Sequence, residues 1–199
     1  MNKDTLESAK KAFAVEAKAI TDTGAGMDWD AFGKAVSLLA RADRIAASGC
    51  GHSGIACMHF AHSMCCVEKP ARFISPSEAV HGATGFLQTG DVLVLASRGG
   101  KTSELMPMID IAKTKKVSVI TVTENTASAM AELSDVCLPM IVHRETDRYN
   151  AQGTSSFIAL SAVFDALQAA VMEETGFTKE QFALIHPGGA VGEKLNKDG

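Results

Sequence analysis

Between residues 44 and 140, five short apolar runs alternate with longer stretches of helical spacing, and this alternation narrows the possible folds sharply. The runs are 44–48 (RIAAS), 71–74 (ARFI), 91–96 (DVLVLA), 117–122 (VSVITV) and 136–140 (VCLPM). Three of them are apolar almost without alternation, as strands covered on both faces must be. Helical spacing recurs near 53–66, 77–81, 102–115 and 126–133, with a longer stretch at 155–175. Strands alternating with helices imply right-handed crossovers and a parallel sheet with helices on both faces. The expected class is therefore α/β, a three-layer α-β-α sandwich.

Two helices precede the first run, and residues from about 4 to 42 are expected to pack on the core. The first reads as 4–20, opened by Asp4 and Glu7 as a capping-box-like pair and broken at 21–26. The second carries Trp29, Phe32, Val36 and Leu39 on one face. After Phe177 no strand pattern remains, and a short helix and a turn are expected. No repeat or linker divides the chain, so residues 1–199 read as one domain.

Composition removes several function classes. With 19 basic against 23 acidic residues, one Trp and one Tyr, the chain lacks the basic excess and stacking platforms of a nucleic-acid binder. No unbroken apolar run approaches the roughly 18 residues of a membrane span, and the start MNKDTLESAKK has no signal-peptide core. Five cysteines without CxxC spacing fit reduced thiols. A cytoplasmic protein without nucleic-acid or membrane partners is expected.

Ligands of open parallel sheets sit outside the carboxyl ends of the strands, here 48–54, 75–81 and 97–104. Residues 49–54 (GCGHSG) match GxGxxG between a strand and a helix. A dinucleotide site would add an acid at the end of the second strand, and Glu68 precedes that strand instead. A phosphate cradle explains more: Gly51 permits close approach, the helix offers free N–H groups, and His52 and Ser53 add donors. Residues 97–104 (SRGGKTSE) repeat the design with Ser97, Thr102 and Ser103 plus the cations Arg98 and Lys101. Two such loops predict a phosphate monoester site.

With 75–82 (SPSEAVHG), Glu145 and 182–195 (FALIHPGGAVGEKL), these loops resemble the sugar isomerase (SIS) domain, and within it most closely the arabinose-5-phosphate isomerases. The likeness runs from about residue 5 to 195. It implies a five-stranded parallel sheet, a phosphorylated sugar as partner, and a homo-oligomer, tetramer or dimer, with shared active sites. It implies interconversion of arabinose 5-phosphate and ribulose 5-phosphate, without metal or organic cofactor. Many relatives continue into paired CBS domains, which this chain is expected to lack. The chain departs from the pattern in several places. His52 replaces the Lys of GKSG, Gly99 and Lys101 replace a Ser and an acid of SxSGES, and His81-Gly82-Ala83 lacks the Asp of HGDLG. The usual APTxSTT appears as Ala151-Gln152-Gly153-Thr154-Ser155-Ser156.

Aldose–ketose isomerisation moves a proton between adjacent carbons while the enediol oxygens are stabilised. A carboxylate whose pKa is raised by burial can be the base, and a His can shuttle hydroxyl protons. The candidates at family positions are Glu104, Glu145, His81 and His186. Two other readings keep the phosphosugar: a non-catalytic sensor, and an isomerase of another sugar such as 3-hexulose 6-phosphate. His59, His62 and Cys66 fall on one helix face at metal-compatible spacing, but that helix must pack on the sheet, and the expectation is no metal.

Overall fold

In a computed structural model that describes residues 2–196, fourteen elements follow in chain order. They are α1 (Lys3–Ala25), α2 (Trp29–Arg41), β1 (Ile45–Gly49), α3 (Gly51–Cys65), β2 (Ala71–Phe73), α4 (Pro76–Ala79), β3 (Val92–Ala96), α5 (Met106–Thr114), β4 (Ser118–Thr123), α6 (Ala129–Leu133), β5 (Val136–Pro139), α7 (Ser155–Thr175), α8 (Lys179–Ile185) and α9 (Gly189–Asn196). Short 3-10 turns lie at Ala83–Phe86 and Ser103–Leu105. Every strand falls within one residue of its apolar run.

The five strands form one all-parallel sheet in the order β2-β1-β3-β4-β5. Side chains alternate across it. Ile45, Ala47, Val92, Val94 and Val122 enter the layer shared with α2, α3 and α7. Ala46, Leu93, Leu95 and Val119 enter the layer of α5 and α6. β1 and β3 are buried at every position, whereas the outer strands β2 and β5 are only half-covered. The chain's order reverses between β1 and β3, where Gly49 pairs with Ala96. The two glycine loops thus leave neighbouring strands at one level, the position where doubly wound sheets bind ligands.

The amino-terminal helices correct the sequence reading. Asn2, not Asp4, caps α1, its Oδ1 accepting the Thr5 N–H at 2.8 Å, and Glu7 instead pairs with Lys10. The helix runs through the expected break because Thr23 is buried, donating to the Ile141 carbonyl at 3.2 Å and accepting the Ile141 N–H at 2.9 Å. These contacts outweigh the weak helix propensity of Thr and Gly. On α2, Phe32, Val36 and Leu39 are buried, but Trp29 at the first position is 63% exposed and meets Phe32 edge-on.

α7 is long and apolar enough to cross a membrane by length and composition. Leu160, Val163, Phe164 and Leu167 are instead buried in the core, Phe164 stacked on Phe60 of α3. The tail forms two helices where one helix and a turn were expected. Thr178 and Gln181 build a capping box on α8, and the Gln181 side-chain amide donates to Glu68 at 2.7 Å. That bond ties α8 to the turn before β2, at the amino end of the sheet.

Candidate active site

The first loop is shaped by its glycines. Gly51 has φ of 55°, left-handed backbone that favours glycine. A Cβ on Gly54 would stand 2.5 Å from the Gly49 carbonyl oxygen, so only glycine lets α3 start against β1. Cys50 gives α3 no side-chain cap, and the first N–H groups of the helix point to the carboxyl edge of the sheet without one. Such an end attracts anions.

The second loop is braced from within. Ser97 is 5% exposed; its hydroxyl accepts the Gly100 N–H at 3.1 Å and lies 2.8 Å from Thr102 Oγ1. Thr123 Oγ1 and the Glu124 N–H both donate to the Arg98 carbonyl, pinning the loop to the end of β4. Gly100 has φ of 62° and lies against Ser128, the cap of α6, where a side chain would collide. Ser97 therefore supports the loop from beneath, while Thr102 is half-buried and Ser103 exposed.

Between these loops and the end of β2 lies a cleft of about 490 Å³. Gly51, Ser75, Ser77, Met58 and Glu104 are among its walls. Glu104 is exposed in the 3-10 turn; its own N–H and the Ser103 hydroxyl at 2.8 Å hold its carboxyl below the usual range. Cys50 also lines the cleft, and burial together with the nearby Glu104 pushes its thiol up. It stays a thiol at neutral pH and is no thiolate nucleophile.

Glu145, a candidate by its family position within the polar stretch 143–148, is fully buried. Arg98 donates to Oε1 at 2.7 Å, and the Thr154 N–H, the Thr154 hydroxyl and the Ser156 N–H converge on Oε2 at 2.8, 2.9 and 3.2 Å. Burial acts to raise this carboxyl, but the bonds from Ser156 and Thr154 outweigh it and hold it below the usual range. Neither carboxylate is thus raised, contrary to the expectation for a buried base. Arg98 also donates to Glu124 at 2.7 Å. With two carboxylates on its guanidinium, Arg98 is spent on the framework; Lys101 of that loop is exposed and has no ion pair among the described residues.

The histidines are scattered. His52 begins α3 and sits against Gly153 and Phe157, beside the segment that binds Glu145. His81 is exposed, one residue beyond Val80, which lines the cleft. His186 ends α8, packed edge-on against Phe182 with a buried Nδ1 that has no hydrogen bond among the described residues. The bond from Gln181 to Glu68 holds α8 beside the turn before β2, whereas the cleft lies at the carboxyl ends of the strands.

His59 and His62 are exposed and face away from the sheet, not into the core. His59 bonds Asp165 of α7 at 3.0 Å, and His62 lies 3.7 Å from Cys66 Sγ. Among the described residues no group of three or more His, Cys, Asp or Glu side chains is placed to hold a metal. Sequence reasoning missed Ser75, Ser77 and Cys50, although the strand-end rule pointed at their loops. Thr154 and Ser156 could have been found from the APTxSTT-like segment.

The SIS domain model matches residues 38–170. The arabinose 5-phosphate isomerase KdsD of Pseudomonas aeruginosa is 32% identical over 194 residues, 98% of this chain but 60% of that protein. The chain thus spans about three fifths of the length of this curated relative. Among solved structures, a candidate sugar-phosphate isomerase of Listeria monocytogenes is 40% identical with a TM-score of 0.90, covering 94% of this chain and all of that one. The c3406 protein of Escherichia coli CFT073, solved in complex with arabinose 5-phosphate, is 27% identical with a TM-score of 0.87 over 94% of this chain and all of that one.

Proposed function

The chain belongs to the SIS domain family, and from that premise we propose that it is a phosphosugar aldose–ketose isomerase interconverting D-arabinose 5-phosphate and D-ribulose 5-phosphate. The observation that carries this reading is the cleft itself: an uncapped helix end suited to a phosphate and an ionised carboxylate, Glu104, share its walls. The amides of Gly51, His52 and Ser53 take the phosphate, with the hydroxyls of Thr102 and Ser103 beside them and Ser97 bracing the loop. Glu104 takes the proton from C2 of the open-chain aldose and returns it to C1. Imidazoles of His52, His81 and His186 exchange the hydroxyl protons of the enediol. Glu145, its oxygens filled by four donors, orders the site.

His186 follows α8, which is tied to Glu68 before β2, and serves the cleft of another copy in a homo-oligomer with shared sites. Exposed apolar side chains on α1 and in the tail, Phe13 at 79% and Leu184 at 76%, offer surface for such an assembly. Incubation with ribulose 5-phosphate, following arabinose 5-phosphate, tests the reading; turnover that persists in EDTA supports chemistry without a metal. Phosphosugar binding without turnover makes the chain a sensor. Turnover of 3-hexulose 6-phosphate alone changes the substrate but keeps the class.

A further inference from the structure

No hydrogen bond to the His52 ring is found among the described residues, so its setting is one of shape. A Cβ on Gly153 would stand 2.9 Å from Nδ1, 3.0 Å from Cγ and 3.1 Å from Cβ of His52. Phe157 meets the same ring edge-on, centroids 6.2 Å apart and planes at 69°. Gly153 has no left-handed φ, so its backbone does not require glycine. The imidazole explains the missing side chain. Because the Nδ1 edge lies on Gly153, Nε2 is the ring nitrogen left to meet a ligand.

We propose that Gly153 and Phe157 are positioning residues for His52, holding Nε2 toward an oxygen of the phosphosugar, so that the three side chains act as one unit. This rests on the isomerase reading and adds to it what sets the imidazole.

The test is a double-mutant cycle on the full chain. Gly153→Ala is expected to lower kcat/KM for ribulose 5-phosphate on the order of ten- to a hundredfold, chiefly in kcat, as a misplaced catalytic group does. In a His52→Ala background the same change is expected to cost nothing more. Losses that add in full overturn the proposal, because damage to the Glu145 segment would persist without the imidazole. Should Gly153→Ala fail to fold, Phe157→Leu, which removes one wall without adding an atom near Gly153, carries the same cycle. The His52 ring signals in long-range nitrogen NMR are expected to shift in Gly153→Ala, and unchanged signals overturn the seating. A wild type that binds arabinose 5-phosphate without turnover sends the cycle to its dissociation constant, with the same two outcomes. A wild type that neither turns over nor binds the sugar overturns the isomerase reading and this role for His52 together, whereas additive losses in an active enzyme overturn the role alone.

Discussion

Replacing Glu145 by Gln keeps the size of the side chain but leaves one acceptor atom where two oxygens take four donors. Stranding those donors is expected to cost about 1–3 kcal/mol, read from urea unfolding at pH 7. The Arg98 side chain is 38% exposed, so water softens its own loss. The sign with pH follows from the lowered carboxyl: its stabilisation is complete above the ordinary Glu pKa of about 4.3 and is lost as pH falls through the lower folded value. The gap between wild type and Glu145→Gln should therefore shrink on acidification below about pH 4.3, and a gap that widens would contradict the assignment. Glu104 is the opposite case, exposed and, among the described residues, bonded to its own turn. Glu104→Gln is expected to lower kcat about 10²–10⁴-fold, the scale of a lost general base, with a far smaller effect on the unfolding midpoint than Glu145→Gln.

At the scale of the element, α3 depends on two glycines for different reasons. Gly51→Ala must hold an L residue at φ of 55° in open space, costing about 1–2 kcal/mol. Gly54→Ala drives a Cβ against the Gly49 carbonyl, and nothing but backbone can give way. It is expected to tilt α3 off β1, lowering stability by about 1–3 kcal/mol and phosphosugar affinity with it. Calorimetry of folding and of arabinose 5-phosphate binding separates the two variants. Such elements were legible in the sequence because strands buried on both faces leave unbroken apolar runs and tight strand–helix turns leave glycines. The length of α1 was not, since Thr23 stays helical for a partner at Ile141, distant in sequence. The burial of Glu145 was hidden too: residues 143–148 (HRETDR) look solvated until Arg98, Thr154 and Ser156 close around one of them. The carboxylate shifts were also out of reach, for they depend on which N–H groups happen to converge.

For the whole molecule, the separation of His186 from the cleft makes an assay of mixed chains informative. Glu104→Ala and His186→Ala chains, each inactive, are expected to regain activity when dissociated and reassembled together, with about a quarter of two-chain sites restored by random pairing. Light scattering should find an oligomer in both parents, and no recovery after proven mixing would place His186 outside the site. The reversal of strand order between β1 and β3 has a consequence of another kind. Gly49 and Ala96 are neighbours in space but β2 and a crossover intervene in the chain, so the ligand loops meet only after a long loop has closed. Contacts of this span form slowly and commit late. A ribosome-bound chain that has not yet released β3 therefore has no cleft, and sugar phosphate can stabilise only molecules whose central strands are already joined.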